Sequence, residues 1–313
     1  MPKPRSLVRP SGWFPSTATS LAGALGWFAL GLLLPAAETR HSFLTTGAET
    51  RIIAEDGSVD WTYPAGTRDG WVLPDGRLLL TLSKSDQHAG GAVVEVNRAG
   101  KIVFKFEGSQ SEVNTAQRLA NGNTLLTEAG PKPRVLEVNP GGEIVVQFPI
   151  QCQLTNFHMQ TRMTRKLANG NYLIPHLLDK VVREHKPDGS IAWSAPTPNW
   201  AFTAIRLAGG NTLVGCTYGN IVVELDPTGK VVWQLSNDDL EGDPIKDACG
   251  VQRLANGNTV VTSYGIGENR RKLTEVTPDK KVVWTYADAS THGIHHFQIL
   301  TTNGRPEPAP ALR

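Results

Sequence analysis

Three histidines stand close together near the end of this 313-residue chain, in HGIHHFQILTTNG from His292 to Gly304. Imidazole exchanges protons near neutral pH, so His295 or His296 is a candidate general base or nucleophile. Asp247 is a candidate to orient it, and Arg270 or Arg271 to hold an anionic substrate through paired N–H donors. His158, Trp200, Tyr218, Tyr264 and His292, together with Arg270, form a candidate ligand-binding set. The same histidines also read as hydrogen-bonding partners for a polar channel lining and its waters. Adjacent residues on a strand point to opposite faces, so His295 and His296 do not suit one metal ion. No HExxH or calcium-loop pattern is present, and no metal is expected. The serines have no GxSxG context, and no Gly-rich phosphate loop opens a helix.

The elements that carry these residues are strands in a repeating array. The stretch from Ala204 to Trp233, AIRLAGGNTLVGCTYGNIVVELDPTGKVVW, reads as three β-rich runs separated by turn signals at Gly209-Gly210-Asn211, Tyr218-Gly219-Asn220 and Asp226-Pro227-Thr228-Gly229. The same pattern recurs along nearly the whole chain. Measured at the glycine of the first turn, the copies fall at 76, 122, 170, 210, 257 and 304, at intervals of 40–48 residues. A period of that length with four strands per unit is the signature of a β-propeller blade.

The two ends of the chain are complementary. The first copy, Phe43 to Tyr63, lacks the run that normally comes first, and the segment from His292 to Gly304 supplies one such run with nothing but a Pro-rich tail after it. The expected fold is therefore all-β: a six-bladed β-propeller of four-stranded antiparallel blades. A C-terminal strand joins three N-terminal strands, which seals the ring and pairs its edges. Residues 38–304 would form the propeller and 305–313 a tail.

Most recurring residues have structural jobs. Asn-Gly predicts a type I′ hairpin at the first turn. Trp61, Phe104, Trp193, Trp233 and Trp284 fall at matching places in the last strand, where an aromatic fills the wedge between fanned sheets. The loops joining strands one to two and three to four are uniform. Those joining strands two to three, and the blade linkers, are varied and polar, so ligand contacts are expected on their face. Aligning the inner strands on Gln117, Gln252 and Gln298 puts His295 level with Asn114 and Cys249, and His296 level with Thr115 and Gly250. A histidine at this level is peculiar to the closing strand.

The pattern RLxNGNTL followed by ExDPxGKVVW resembles the bacterial PQQ-like β-propeller repeat and, more distantly, the arylsulfotransferase-type propellers, over residues 42–304. The second resemblance implies a channel histidine used as a nucleophile. Quinoprotein dehydrogenases of the first group have eight blades and commonly a pair of adjacent cysteines. Six blades with Cys152, Cys216 and Cys249 far apart imply no quinone, and no cofactor is expected. Three cysteines make no disulfide framework either.

Charge and termini bound the partners. The net charge is +2, and the first 37 residues hold Lys3, Arg5 and Arg9 with no acidic residue, so the body has no basic field for nucleic acid. That segment reads as a signal peptide: a basic start, an apolar stretch from Leu21 to Leu34, then Pro35-Ala36-Ala37. It predicts a periplasmic or secreted protein with no membrane span once the signal is removed. Two functions follow. One is a binding or scaffold propeller that grips a glycan, a small anionic ligand or an envelope protein partner at one channel mouth. The other is a small-molecule transferase or lyase that uses the channel histidine.

Overall fold

The computed structural model describes residues 38–308, 311 and 313; the signal-like segment 1–37 lies outside the described residues. Short runs rich in Val, Leu, Ile and Thr, broken by Gly and Asp turns, fold into six sheets. The first three strands are β1 (His41–Thr46), β2 (Thr50–Ile53) and β3 (Val59–Tyr63). The next blade holds β4 (Thr67–Val72), β5 (Leu78–Leu82), β6 (Ala92–Val96) and β7 (Ile102–Glu107). The third holds β8 (Glu112–Arg118), β9 (Thr124–Ala129), β10 (Arg134–Val138) and β11 (Ile144–Pro149). The fourth holds β12 (Arg165–Lys166), β13 (Tyr172–His176), β14 (Val181–His185) and β15 (Ile191–Pro196). The fifth holds β16 (Trp200–Arg206), β17 (Thr212–Thr217), β18 (Ile221–Leu225) and β19 (Val231–Leu235). The sixth holds β20 (Val251–Arg253), β21 (Thr259–Thr262), β22 (Arg271–Val276) and β23 (Val282–Ala287).

The ring closes as expected. β24 (His296–Thr302) pairs antiparallel with β1, with Thr46 opposite His296 and Leu44 opposite Gln298, so chain ends complete one sheet. That sheet also gains a short fifth strand, β25 (Arg305–Pro306), on the inner side of β24. The fold is a six-bladed β-propeller of antiparallel sheets.

The core lies in the wedges between sheets. One cluster joins Leu173 and Val182 of one blade to Ala204, Val214 and Val223 of the next, with Trp193 packed against it. The indole N–H of Trp193 donates to the Pro227 carbonyl of the next blade at 2.8 Å, and Trp233 does the same to Pro278 at 2.9 Å. At four blade boundaries a cation on an inner strand meets a glutamate of the preceding blade: Arg118 with Glu95, Lys166 with Glu137, Arg206 with Glu184 and Arg253 with Glu224; at a fifth, His41 of the second strand β1 hydrogen-bonds Glu275 at 2.7 Å. Ile52 takes the glutamate's place at the remaining boundary, and its neighbours there are Leu78 and Leu80. The shared glutamines are locks as well. Gln117, Gln252 and Gln298 accept the backbone N–H of Lys166, Ile299 and Val72 on the following inner strand, each at 2.8 Å.

The first turns differ from the expected type I′ hairpin. Asn121 keeps negative φ and only Gly122 is left-handed, at φ 87°. The turn is then a type I turn followed by a left-handed glycine, and the Asn121 side chain accepts the Asn123 N–H at 3.1 Å. The extra residue lets the asparagine cap the loop from its side chain. Among these first turns only the closing one, with Asn303 at φ 49° and Gly304 at φ 75°, has two left-handed residues.

Candidate functional site

A cavity of about 320 Å³ opens at one mouth of the channel. Its walls come from blade linkers and the loops between second and third strands: Ser83, His158, Tyr218, Asp247, Tyr264 and His292 all line it. Its floor comes from the inner strands. Three residues ahead of the shared glutamine position, counted through every blade, stand Arg68, Asn114, Arg162, Phe202, Cys249 and His295. All but Asn114 line the cavity.

The electrostatics are uneven. Glu112 accepts His158 Nδ1 at 2.8 Å and lies 3.2 Å from the Arg68 guanidinium. Burial works against its charge, but His158, Arg68 and Arg162 more than offset this and hold the carboxyl at about 2. Among the described residues Arg162 has no carboxylate within salt-bridge distance, and Glu112 acts on it only from farther off. The Arg162 side chain is buried, its Nη1 donates to the Thr161 carbonyl at 2.8 Å, and its Nε finds no acceptor. Burial, and after it the neighbouring Arg68, push its pKa down. A guanidinium so placed is a standing demand for an anion.

His295 forms part of the same floor. Its ring lies edge-on between Phe202, at 4.8 Å, and Tyr264, at 5.2 Å. Its Nδ1 sits 3.0 Å from the Arg68 carbonyl. A carbonyl only accepts, so Nδ1 carries the proton and the Nε2 lone pair is left without a protein partner among the described residues. Burial, Arg68 and Arg162 hold this imidazole at about 3, so it is neutral near pH 7.

Several sequence expectations need correction. Asp247 does not orient His295; the Arg68 carbonyl does. Asp247 adopts φ 58°, accepts the Tyr218 N–H at 3.2 Å through its carboxylate and the Tyr264 N–H at 3.2 Å through its carbonyl. It therefore positions the two tyrosine walls. His296 points away from the mouth, because alternate residues of a strand face opposite ways, and its Nδ1 meets Arg313. Trp200 stands behind the wall, edge-on to Tyr218 at 4.8 Å. Arg270 lies in the exposed loop before β22 and does not reach the cavity, while Arg271 donates to the Glu241 carbonyl. The arginines that line the cavity are Arg68 and Arg162. The signal for both was the count from the glutamine position, applied to blades where Trp71 and Arg165 replace glutamine.

No family model matches this chain, and no curated protein matches it. Its likeness is to solved propellers. A protein of unknown function from Bacteroides caccae is 24% identical, with a TM-score of 0.72 over 82% of this chain and 98% of its own. A streptogramin B lyase is 13% identical, with a TM-score of 0.56 over 84% of this chain and 88% of its own. A catalytically inactive histidine-to-alanine variant of virginiamycin B lyase from Staphylococcus aureus, with quinupristin, is also 13% identical, with a TM-score of 0.56 over 85% of this chain and 94% of its own. At these identities the likeness shows the fold.

Cys152, Cys216 and Cys249 are separate free thiols, which burial pushes up to about 11, 12 and 12. Among the described residues no three or more His, Cys, Asp or Glu side chains converge as a metal site. No helix among them is long and apolar enough to cross a membrane.

Proposed function

We propose that this chain is an exported propeller that binds a small anionic molecule at the channel mouth. The observation that carries this reading is Arg162: a buried guanidinium with no carboxylate within salt-bridge distance among the described residues, in the floor of an open cavity. A volume of about 320 Å³ lies at the small end of ligand pockets, which supports a compact anion over a glycan chain or a protein loop. Arg162 and Arg68 would hold the anionic group, and Tyr218 and Tyr264 would flank the rest. Export rests on the basic and apolar character of the first 37 residues, and the PQQ-like repeat serves here as scaffold without its cofactor.

Calorimetry with phosphate, sulfate, citrate and benzoate tests this reading. Binding of at least one, weakened at least about tenfold by Arg162→Met, is the expected result, because hydrogen bonds to a charged group are worth about 1.5–3 kcal/mol. Failure of all four, or equal binding by the variant, ends the proposal.

A second reading has its own observation. The Nε2 lone pair of His295 faces a cavity with two cations, and a substrate anion seated on them would raise its basicity from about 3 toward what a lyase or transferase base needs. The streptogramin B and virginiamycin B lyases are acceptable precedents for such chemistry on this fold. Turnover that His295→Asn abolishes while anion binding survives would favour it.

A further inference from the structure

One residue further along the inner strands, Asp69, Thr115 and His296 follow Arg68, Asn114 and His295, and they build a second, fully buried polar cluster. Asp69 accepts Arg165 Nη1 at 2.8 Å and Thr115 Oγ1 at 2.8 Å. Burial opposes its charge, but Arg165 and Arg313 outweigh that and keep the carboxyl well below the usual carboxylate range. The mouth site makes no use of this cluster.

We propose that this axial cluster is a guanidinium-binding site and that Arg313 is its resident occupant. Guanidinium is a flat cation with donors in its plane and weakly hydrated faces, so its site needs acceptors around the edge and an aromatic ring on the face. Both are present. Arg313 Nη2 donates to the Gly70 carbonyl and lies 3.5 Å from the Asp69 carboxylate. Its Nη1 donates to the Phe297 carbonyl at 2.8 Å and to His296 Nδ1 at 2.5 Å. The Trp71 ring lies 3.9 Å from the guanidinium carbon.

The cage and its occupant come from different parts of the chain. Asp69, Gly70 and Trp71 belong to β4, and His296 and Phe297 to β24, so the acceptors are fixed by two inner strands at the ring's closure. Arg313 arrives on the segment after β24, whose described residues are held by β25, by the Glu307 N–H on the Leu300 carbonyl, by side-chain contacts of Glu307 and by Ala311 packed against the Trp71 cluster. The cage therefore belongs to the ring and its occupant to the tail, so removal of the Arg313 side chain leaves the cage open to an outside guanidinium. An ammonium ion lacks both the flat face and the in-plane fork, so the site selects guanidino compounds over amines. Arg165 Nε adds a contact to the Arg313 main-chain oxygen at 2.9 Å, which favours an arginyl group over a bare guanidinium.

The test is chemical complementation of full-length Arg313→Ala, read as thermal midpoint. The variant should melt about 2–4 °C below wild type, the shift that one kcal/mol produces in a domain of this order of size. Low-millimolar methylguanidinium chloride should restore most of that loss in Arg313→Ala and leave wild type unchanged, because its site is filled. Methylammonium chloride at the same concentration should do nothing. If methylguanidinium leaves Arg313→Ala unmoved, shifts both proteins alike, or acts no better than methylammonium, the proposal is wrong. Should Arg313→Ala not fold, Arg313→Lys is titrated instead with the same outcomes.

Discussion

Two levels of one channel hold buried arginines in opposite situations. At the mouth, Arg162 stands over the Phe202 ring at 5.7 Å with no carboxylate in salt-bridge reach among the described residues, beside Arg68, whose Glu112 is shared with His158. At the axis, Arg165 and Arg313 both face Asp69 and both lie over Trp71, at 4.9 and 3.9 Å. Each level holds two arginines and one carboxylate, but at the axis both arginines reach Asp69, whereas at the mouth Glu112 reaches Arg68 and not Arg162. A buried charge costs several kcal/mol unless it is paired, so the axial arginines are part of the fold and the mouth arginine is held at the fold's expense. The difference locates the site better than shape does, since an unpaired cation marks where an anion belongs.

The largest expected effect tests the axial half. Asp69→Asn keeps the shape and removes the counter-charge of two buried guanidiniums, which should cost about 3–5 kcal/mol of stability. Urea denaturation measures it; a loss below about 1 kcal/mol would mean that the two levels do not differ as stated. At the mouth the sign reverses. Without ligand, Arg162→Met should leave stability unchanged or raise it by about 1 kcal/mol, since it removes a desolvated charge and keeps an unbranched stem. If this variant loses stability as Asp69→Asn does, Arg162 is structural and the contrast disappears.

How much of this could be read from the sequence follows the same division. Ring closure was legible because β24 and β1 repeat the blade pattern in complementary halves. The wedge aromatics were legible because each blade repeats them; Trp193, Trp233 and Trp284 pack against core clusters between sheets. The type I′ turn was misread because Asn-Gly alone does not reveal the loop length that lets Asn121 cap with its side chain. His295 was placed correctly by its count from Gln298, and Arg68 and Arg162 were missed because their blades carry Trp71 and Arg165 where the count begins. The axial cage was invisible for a different reason. Asp69 and Arg313 are 244 residues apart in sequence and no periodic pattern joins them.

The smallest expected effect is a titration, and it sharpens the mouth half of the comparison. His295 is held at about 3, against an ordinary value of 6.5, by burial and by the two arginines. Between these values the unfolded chain takes up a proton that the folded ring refuses. Its contribution to stability is therefore complete above about pH 6.5 and is lost as pH falls toward about 3. An anion seated on Arg68 and Arg162 would cancel part of their field and raise the midpoint, so anion binding and protonation of His295 should reinforce each other. NMR of the imidazole rings, with His295→Asn to assign the signal, measures this directly. The free protein should show no titration of that ring from pH 8 to about 5, and saturating anion should move its midpoint upward. A midpoint near 6.5 in the free protein would mean that the cations at the mouth are already neutralised, and the unpaired state of Arg162 would lose its meaning.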